Sequence, residues 1–182
     1  MKTFLKALAL CFVATGALAQ SVNTNVGGWD NGVSITPVVS TTAYSASQAV
    51  GGLQRANVFR SANPGSAILD AFLLASTSGV TQALTVYIFD TNPSASTCTN
   101  QATFVLANAD VPKLAVAPFV LAPATAQGAT QSFAEQALVR SVQNHDTSGA
   151  YQTALYVCLV AGGALTPGSA SDISYKLMLS QD

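Results

Sequence analysis

The chain has 182 residues, 49% of them hydrophobic and only 8% charged, and its formal net charge at pH 7 is −1. That length suits one domain with a sizeable core. There is no basic patch to neutralise phosphates, which argues against nucleic acid as a partner.

Lys2 and Lys6 open the chain, an almost wholly apolar run extends from Leu5 to Leu18, and Ala17-Leu18-Ala19 sets small residues where a signal peptidase requires them. This layout predicts a secretory signal peptide over residues 1–19, cleaved before Gln20. The apolar run is shorter than the roughly 18–20 residues that span a bilayer, so no membrane span is expected after cleavage. The expected location is secreted, periplasmic or cell-surface. Residues 20–42 read as an N-terminal lead-in and first strand: Ser21–Thr36, rich in Asn, Gly and Ser, is expected to be extended or poorly ordered, and the β pattern starts at Pro37–Thr42 (PVVSTT). Residues 43–182 read as the folded domain.

Strands are expected where apolar residues alternate or β-branched residues cluster. SAILDAFLLAS carries Ile68, Asp70, Phe72 and Leu74 on one parity and Leu69, Ala71 and Leu73 on the other. Apolar residues on both parities predict a strand covered on both faces, with Asp70 at an edge or against a polar partner. ALTVYIFD, TALYVCLVA and the segment containing Ile173, Tyr175, Leu177 and Leu179 supply three more strands. A short helical turn is expected at Asn108–Leu114, with Asp110 as its N-cap and Pro112 in its first turn. Over Ser132–Val142 the periodicity does not decide between strand and helix. Ala115–Gln131, rich in Ala and Pro, reads as a surface connection. Gly51-Gly52 and Gly162-Gly163 lie in or beside apolar strands, where glycine permits a bulge or a close backbone approach. Asn63-Pro64-Gly65, Asn92-Pro93, Ser148-Gly149 and Pro167-Gly168 mark reversals. Strands separated by such turns, without long helical patterns, predict an all-β, single-domain β-sandwich or jelly roll.

Little in the chain suggests catalysis. The one histidine, His145, is followed by Asp146 but sits among polar turn-formers, with no second histidine to complete a site. No serine lies in a nucleophile elbow. Asp90 with Asn92, and Asn100 with Asn108 and Asp110, offer hard oxygen ligands but lack calcium-loop spacing. Their simpler role is turn stabilisation. No catalytic residue, cofactor or metal is therefore expected. Trp29, Tyr44 and Tyr151 could line a carbohydrate site or serve as core or interface aromatics. Two cysteines follow the signal segment, Cys98 and Cys158. In an exported chain an even pair favours one disulfide, the alternative being two buried thiols.

Several segments, in order, resemble a family of virion structural proteins of tailed bacteriophages, associated with capsid decoration or minor head and tail roles. They are Ala43–Gly52 (AYSASQAVGG), Ala83–Asp90 running into Thr91–Thr97 (TNPSAST), Asn108–Leu114 (NADVPKL), Leu155–Val160 (LYVCLV) and Ser171–Leu177 (SDISYKL). The resemblance covers most of the chain after the signal segment. It departs from the family at the export signal, at Cys98 in place of an aromatic and at Asn100 in place of Asp. It implies a non-enzymatic structural or interaction protein that self-associates or docks on a larger assembly through protein partners, with association with a virion as the alternative location. The alternative function is a secreted binding module for a carbohydrate or surface polymer.

Overall fold

The computed structural model describes residues 32–59, 66–125, 130–143, 150 and 152–181. The signal segment and the proposed turns at 63–65 and 148–149 lie outside them. The described strands are β1 (Gly32–Ile35), β2 (Ala49–Asn57), β3 (Ser66–Ser76), β4 (Leu84–Phe89), β5 (Phe119–Leu121), β6 (Ala124–Thr125), β7 (Ser132–Gln143), β8 (Ala154–Ala161) and β9 (Ile173–Gln181). One 3₁₀ turn, Asn108–Lys113, interrupts them.

All the pairings are antiparallel. They form a five-stranded sheet in the order β1-β9-β3-β7-β6 and a four-stranded sheet in the order β2-β8-β4-β5. With the short β6 set aside, the pairs β4/β5, β3/β7, β2/β8 and β1/β9 nest one inside the next, and alternate pairs go to alternate sheets. One long hairpin rolled up in this way is a jelly roll. The fold class expected from the sequence is therefore the one observed.

The core lies between the sheets. Alternate residues of β8 (Leu155, Val157, Leu159, Ala161), β4 (Leu84, Val86, Ile88) and β9 (Ile173, Tyr175, Leu177, Leu179) are buried in it. Phe72 of β3 stacks on Tyr175 with ring centroids 5.0 Å apart and meets Phe119 of β5 edge-on at 5.8 Å, joining the two sheets. Burial raises the Tyr175 phenol well above its ordinary pKa, and its hydroxyl has no hydrogen-bond partner among the described residues.

Four expectations need correction. The first described strand is Gly32–Ile35, and Pro37–Thr42 is not a strand. Val33 and Ile35 alternate inward there, whereas Pro37 has no N–H to give to a ladder. The stretch Ala115–Gln131 is not bare connection, because Phe119–Leu121 and Ala124–Thr125 pair with β4 and β7. Strands of three and two residues are too short to show a period. Asp110 does not cap the 3₁₀ turn, whose N-cap is Ala107 without a side-chain bond. Its carboxylate is taken instead by Ala95 and Ser96. Finally, the described residues cover β3 on one face only. A register shift between Leu69 and Ala71 changes which parity faces inward, so Leu69, Phe72 and Leu74 are buried while Ile68 is 45% exposed. Asp70, at the shift, accepts a hydrogen bond from Ser180, the polar partner the sequence suggested.

Both glycine pairs act as expected. Gly51 and Gly52 have φ +75°, and the β2–β8 register shifts across them. Gly162 lies so close to the Ala83 carbonyl oxygen that an added Cβ would stand 2.9 Å from it.

Candidate interaction surfaces

Three regions stand out among the described residues. The first is a clamp at one end of the sandwich. Asp172, just before β9, is fully buried. Its Oδ1 accepts from Ser76 Oγ at 3.0 Å, Thr77 Oγ1 at 2.9 Å and Ser78 N at 2.7 Å. Its Oδ2 accepts from Gly168 N at 2.8 Å and from the Ser78 hydroxyl. Burial pushes this carboxyl up, but the Ser78, Gly168 and Thr77 donors outweigh it and hold the pKa at about 2. With its donors supplied by the last residue of β3, the turn after it and the loop before β9, the carboxylate fastens the end of β3 and its turn to that loop. An open groove of about 250 Å³ beside it is lined by Ser78–Gln82 and Ala164–Thr166, none of which ionises.

The second region is the connection between β4 and β5, which folds back over the outer face of the four-stranded sheet. Cys98 lies in it and is bonded to Cys158 of β8, with Cα atoms 6.3 Å apart. The expected disulfide pairing is thus the one present. Around the bridge Ala49, Phe89, Cys158 and Val160 form a second apolar cluster, with Tyr87, Phe104, Leu106 and Leu114 packed against it. The rings of Tyr87 and Phe104 lie 4.4 Å apart.

Asp110 holds the inside of this connection. It is fully buried. Its Oδ2 accepts from Ala95 N at 3.0 Å, Ser96 N at 2.6 Å and Ser96 Oγ at 2.7 Å, and its Oδ1 pairs with Lys113 Nζ at 2.7 Å. Burial opposes ionisation, yet the Lys113 and Ser96 contacts win and hold the carboxyl below its ordinary range. Asn100 ties the connection to β2, its Oδ1 accepting from the Tyr44 hydroxyl at 2.6 Å and from Gly51 N at 2.9 Å. The oxygens that suggested a calcium site, Asn100 and Asp110, are thus spent on protein donors, and Asp90 Oδ1 accepts from the Thr91 hydroxyl. Among the described residues no three His, Cys, Asp or Glu side chains come close enough to hold a metal.

The third region is the outer face of the five-stranded sheet. Phe133 is 56% exposed there, alongside exposed Ile68 and Ala75 and half-buried Ala71, Leu73 and Met178. The described residues place nothing over this face.

Tyr44 is a core residue, 1% exposed, so it offers no stacking platform for a sugar. His145, Asp146, Trp29 and Tyr151 lie outside the described residues. Sequence reasoning missed the Asp172 clamp. The available signal was scarcity, since in a chain with only eight acidic residues each one beside a strand warrants a search for its donors. No helix among the described residues is long and apolar enough to cross a membrane. Comparison with protein-family models, with curated proteins and with solved structures finds no match for this chain.

Proposed function

We propose that the chain is an exported, non-enzymatic structural or interaction protein of the tailed-phage virion type, working by self-association or by docking on a larger assembly. The observation that carries this reading is the use made of the longest described connection, between β4 and β5. It is cross-linked onto its own sheet and packed around a satisfied buried acid, instead of bordering a cleft with convergent reactive groups. Jelly rolls serve in viral capsids and in lectins, so the fold alone supports the class only by analogy. The disulfide is compatible with an oxidising compartment, as is the signal-like start of the sequence.

The test is fractionation of cells and of the particles they release, with mass spectrometry of the chain in each fraction. The reading expects a chain beginning at Gln20 that sediments with a high-mass assembly. A chain that keeps Met1 and stays in the cell would refute export. A freely sedimenting monomer that binds no component of the assembly would refute the structural role.

A further inference from the structure

We infer that the groove beside Asp172 is a binding site for one neutral, hydroxyl-rich unit, a sugar residue. The inference goes beyond the structural reading above and does not depend on it. The groove lies between the β3–β4 connection and the β8–β9 connection. Its volume of about 250 Å³ falls just below the roughly 300–1,000 Å³ usual for small-molecule sites, so it suits a single ring. Both walls are fixed in advance. Asp172 ties Ser76, Thr77 and Ser78 to the loop containing Gly168. Val80 N donates to Ser76 Oγ at 3.1 Å, and the Val80 carbonyl accepts from the Ser132 hydroxyl. On the other wall Tyr44 N donates to Leu165 O at 2.8 Å and Leu165 N to Tyr44 O at 3.2 Å. Gly162 N donates to Ala83 O at 2.8 Å and joins the two connections. A site held in shape before its ligand arrives loses less entropy on binding.

The groups left free on those walls set the chemistry. The hydroxyls of Thr81 and Thr166 and the amide of Gln82 line the groove, and none of the three has a hydrogen-bond partner among the described residues. The Gln82 amide is laid across Gly163, where an added Cβ would stand 2.8 Å from its Nε2 and 3.0 Å from its Oε1. Each hydroxyl can donate and accept, and the amide donates two N–H groups and accepts at its carbonyl. The set is therefore balanced in donors and acceptors and carries no charge. An anion would call for a cationic side chain or an excess of donors. A cation would call for a free carboxylate, but Asp172 is fully buried with both oxygens committed to protein donors. An apolar ligand would call for apolar walls, but Val80 and Leu165 turn into the core. Adjacent sugar hydroxyls, each both donor and acceptor, match what remains.

Titration of the isotope-labelled full chain, followed by NMR, tests this. The probes are the methyl glycosides of glucose, galactose, mannose and N-acetylglucosamine, with glucuronate, glucosamine and trialanine as charged and peptide counterparts. At least one neutral glycoside should shift the amide signals of Ser78–Gln82 and Ala164–Thr166. Its Kd should be on the order of 1 mM, since no aromatic ring lines the groove. Gln82→Ala should raise that Kd about tenfold, the weight of one or two lost hydrogen bonds. Gly163→Ala should do the same by pushing the Gln82 amide out of place, and Thr166→Val should raise it about threefold. Melting curves should match those of the original protein, because these side chains bond to nothing else among the described residues. Silence from every neutral glycoside at about 50 mM, well above that Kd, overturns the site. So do shifts confined to other parts of the chain, or a Kd unchanged in all three variants. Tighter binding of glucuronate, glucosamine or trialanine than of any neutral glycoside overturns the sugar class. None of these results bears on export or assembly, which the fractionation experiment tests separately.

Discussion

Phe89 and Phe133 stand on opposite outer faces of one sandwich, and the first is fully buried while the second is 56% exposed. Their strands do not account for the difference, since β4 and the Ser132–Ala137 stretch of β7 both alternate and both carry a large aromatic outward. The difference lies in what the chain can lay over each face. The β4–β5 connection is long enough to return across β4 and β8, and it brings Phe104, Leu106 and Leu114 to cover Phe89. The described connections on the other side offer no comparable cover. A loop laid on a sheet must be held there against its conformational entropy. Here the holding is done by the Cys98–Cys158 bond, by the hydrogen bonds that Asn100 Oδ1 accepts from Tyr44 and Gly51, and by backbone bonds such as Ala49 N to Ala102 O and Phe104 N to Ser47 O, while the Asp110–Lys113 pair braces the connection from within.

The largest effect expected from this contrast is at the covered aromatic. Phe89→Ala should cost about 3–5 kcal/mol, the usual result of emptying a fully buried aromatic site. Urea denaturation would measure it. A loss below about 1 kcal/mol would mean that the β4–β5 connection does not cover the sheet in solution.

Next is the bridge. Cys98 and Cys158 are 60 residues apart, and closing a loop of that size restricts the unfolded chain by up to about 4 kcal/mol. Cys98→Ser, or reduction, should therefore lower the melting temperature by about 10 °C while the β-sheet circular dichroism persists. Proteolysis of the reduced protein should begin between Asp90 and Pro118. Identical melting with and without reductant would show that the bridge does not hold the connection.

The acid clamp should give a smaller, pH-dependent loss. Asp172 has a folded pKa of about 2, against an ordinary carboxyl near 3.9. A depressed carboxyl stabilises the fold above its unfolded pKa, and this contribution disappears as the pH falls through the folded value. The contribution of about 2 kcal/mol should thus be complete above about pH 4 and largely gone by about pH 2. Asp110 is shifted the same way and adds to the same trend. Stability curves measured across that range should flatten in Asp172→Asn. A variant with the pH dependence of the original protein would assign the acid sensitivity to other groups.

The sequence carried the sheet but not its covering. β3 was legible to the residue, since Ser66–Ser76 is bounded by turn-formers and dense in strand-forming side chains. β4, β8 and β9 were legible for the same reason. β5 and β6 were not, because a strand of two or three residues is defined by its partner and not by its own pattern. The outer side of β3, over which the described residues place nothing, was not legible, because an apolar parity records what a face can bury and only the tertiary path of the chain decides what arrives. The disulfide was legible from cysteine arithmetic. The role of Asp110 was not, since an acid two residues before a proline looks like a helix cap until the Ala95–Ser96 turn is placed beside it.

The smallest effect should come from the open face, and it separates an open face from one covered by the chain itself. Phe133→Ala, measured at a protein concentration low enough to favour the monomer, should change stability by about 0.5 kcal/mol or less, as for an ordinary exposed site. Phe133 pairs with Ala75 of β3 on one side and Ala124 of β6 on the other, two small side chains that bury little of its ring. Truncating it therefore removes little contact within the monomer. If the same truncation costs about 2 kcal/mol or more in dilute solution, the ring is buried by some other part of the same chain. The contrast with Phe89 would then be one between two covered faces. If the cost appears only as the concentration rises, it belongs to association, because a partner that binds only the folded state stabilises it by mass action.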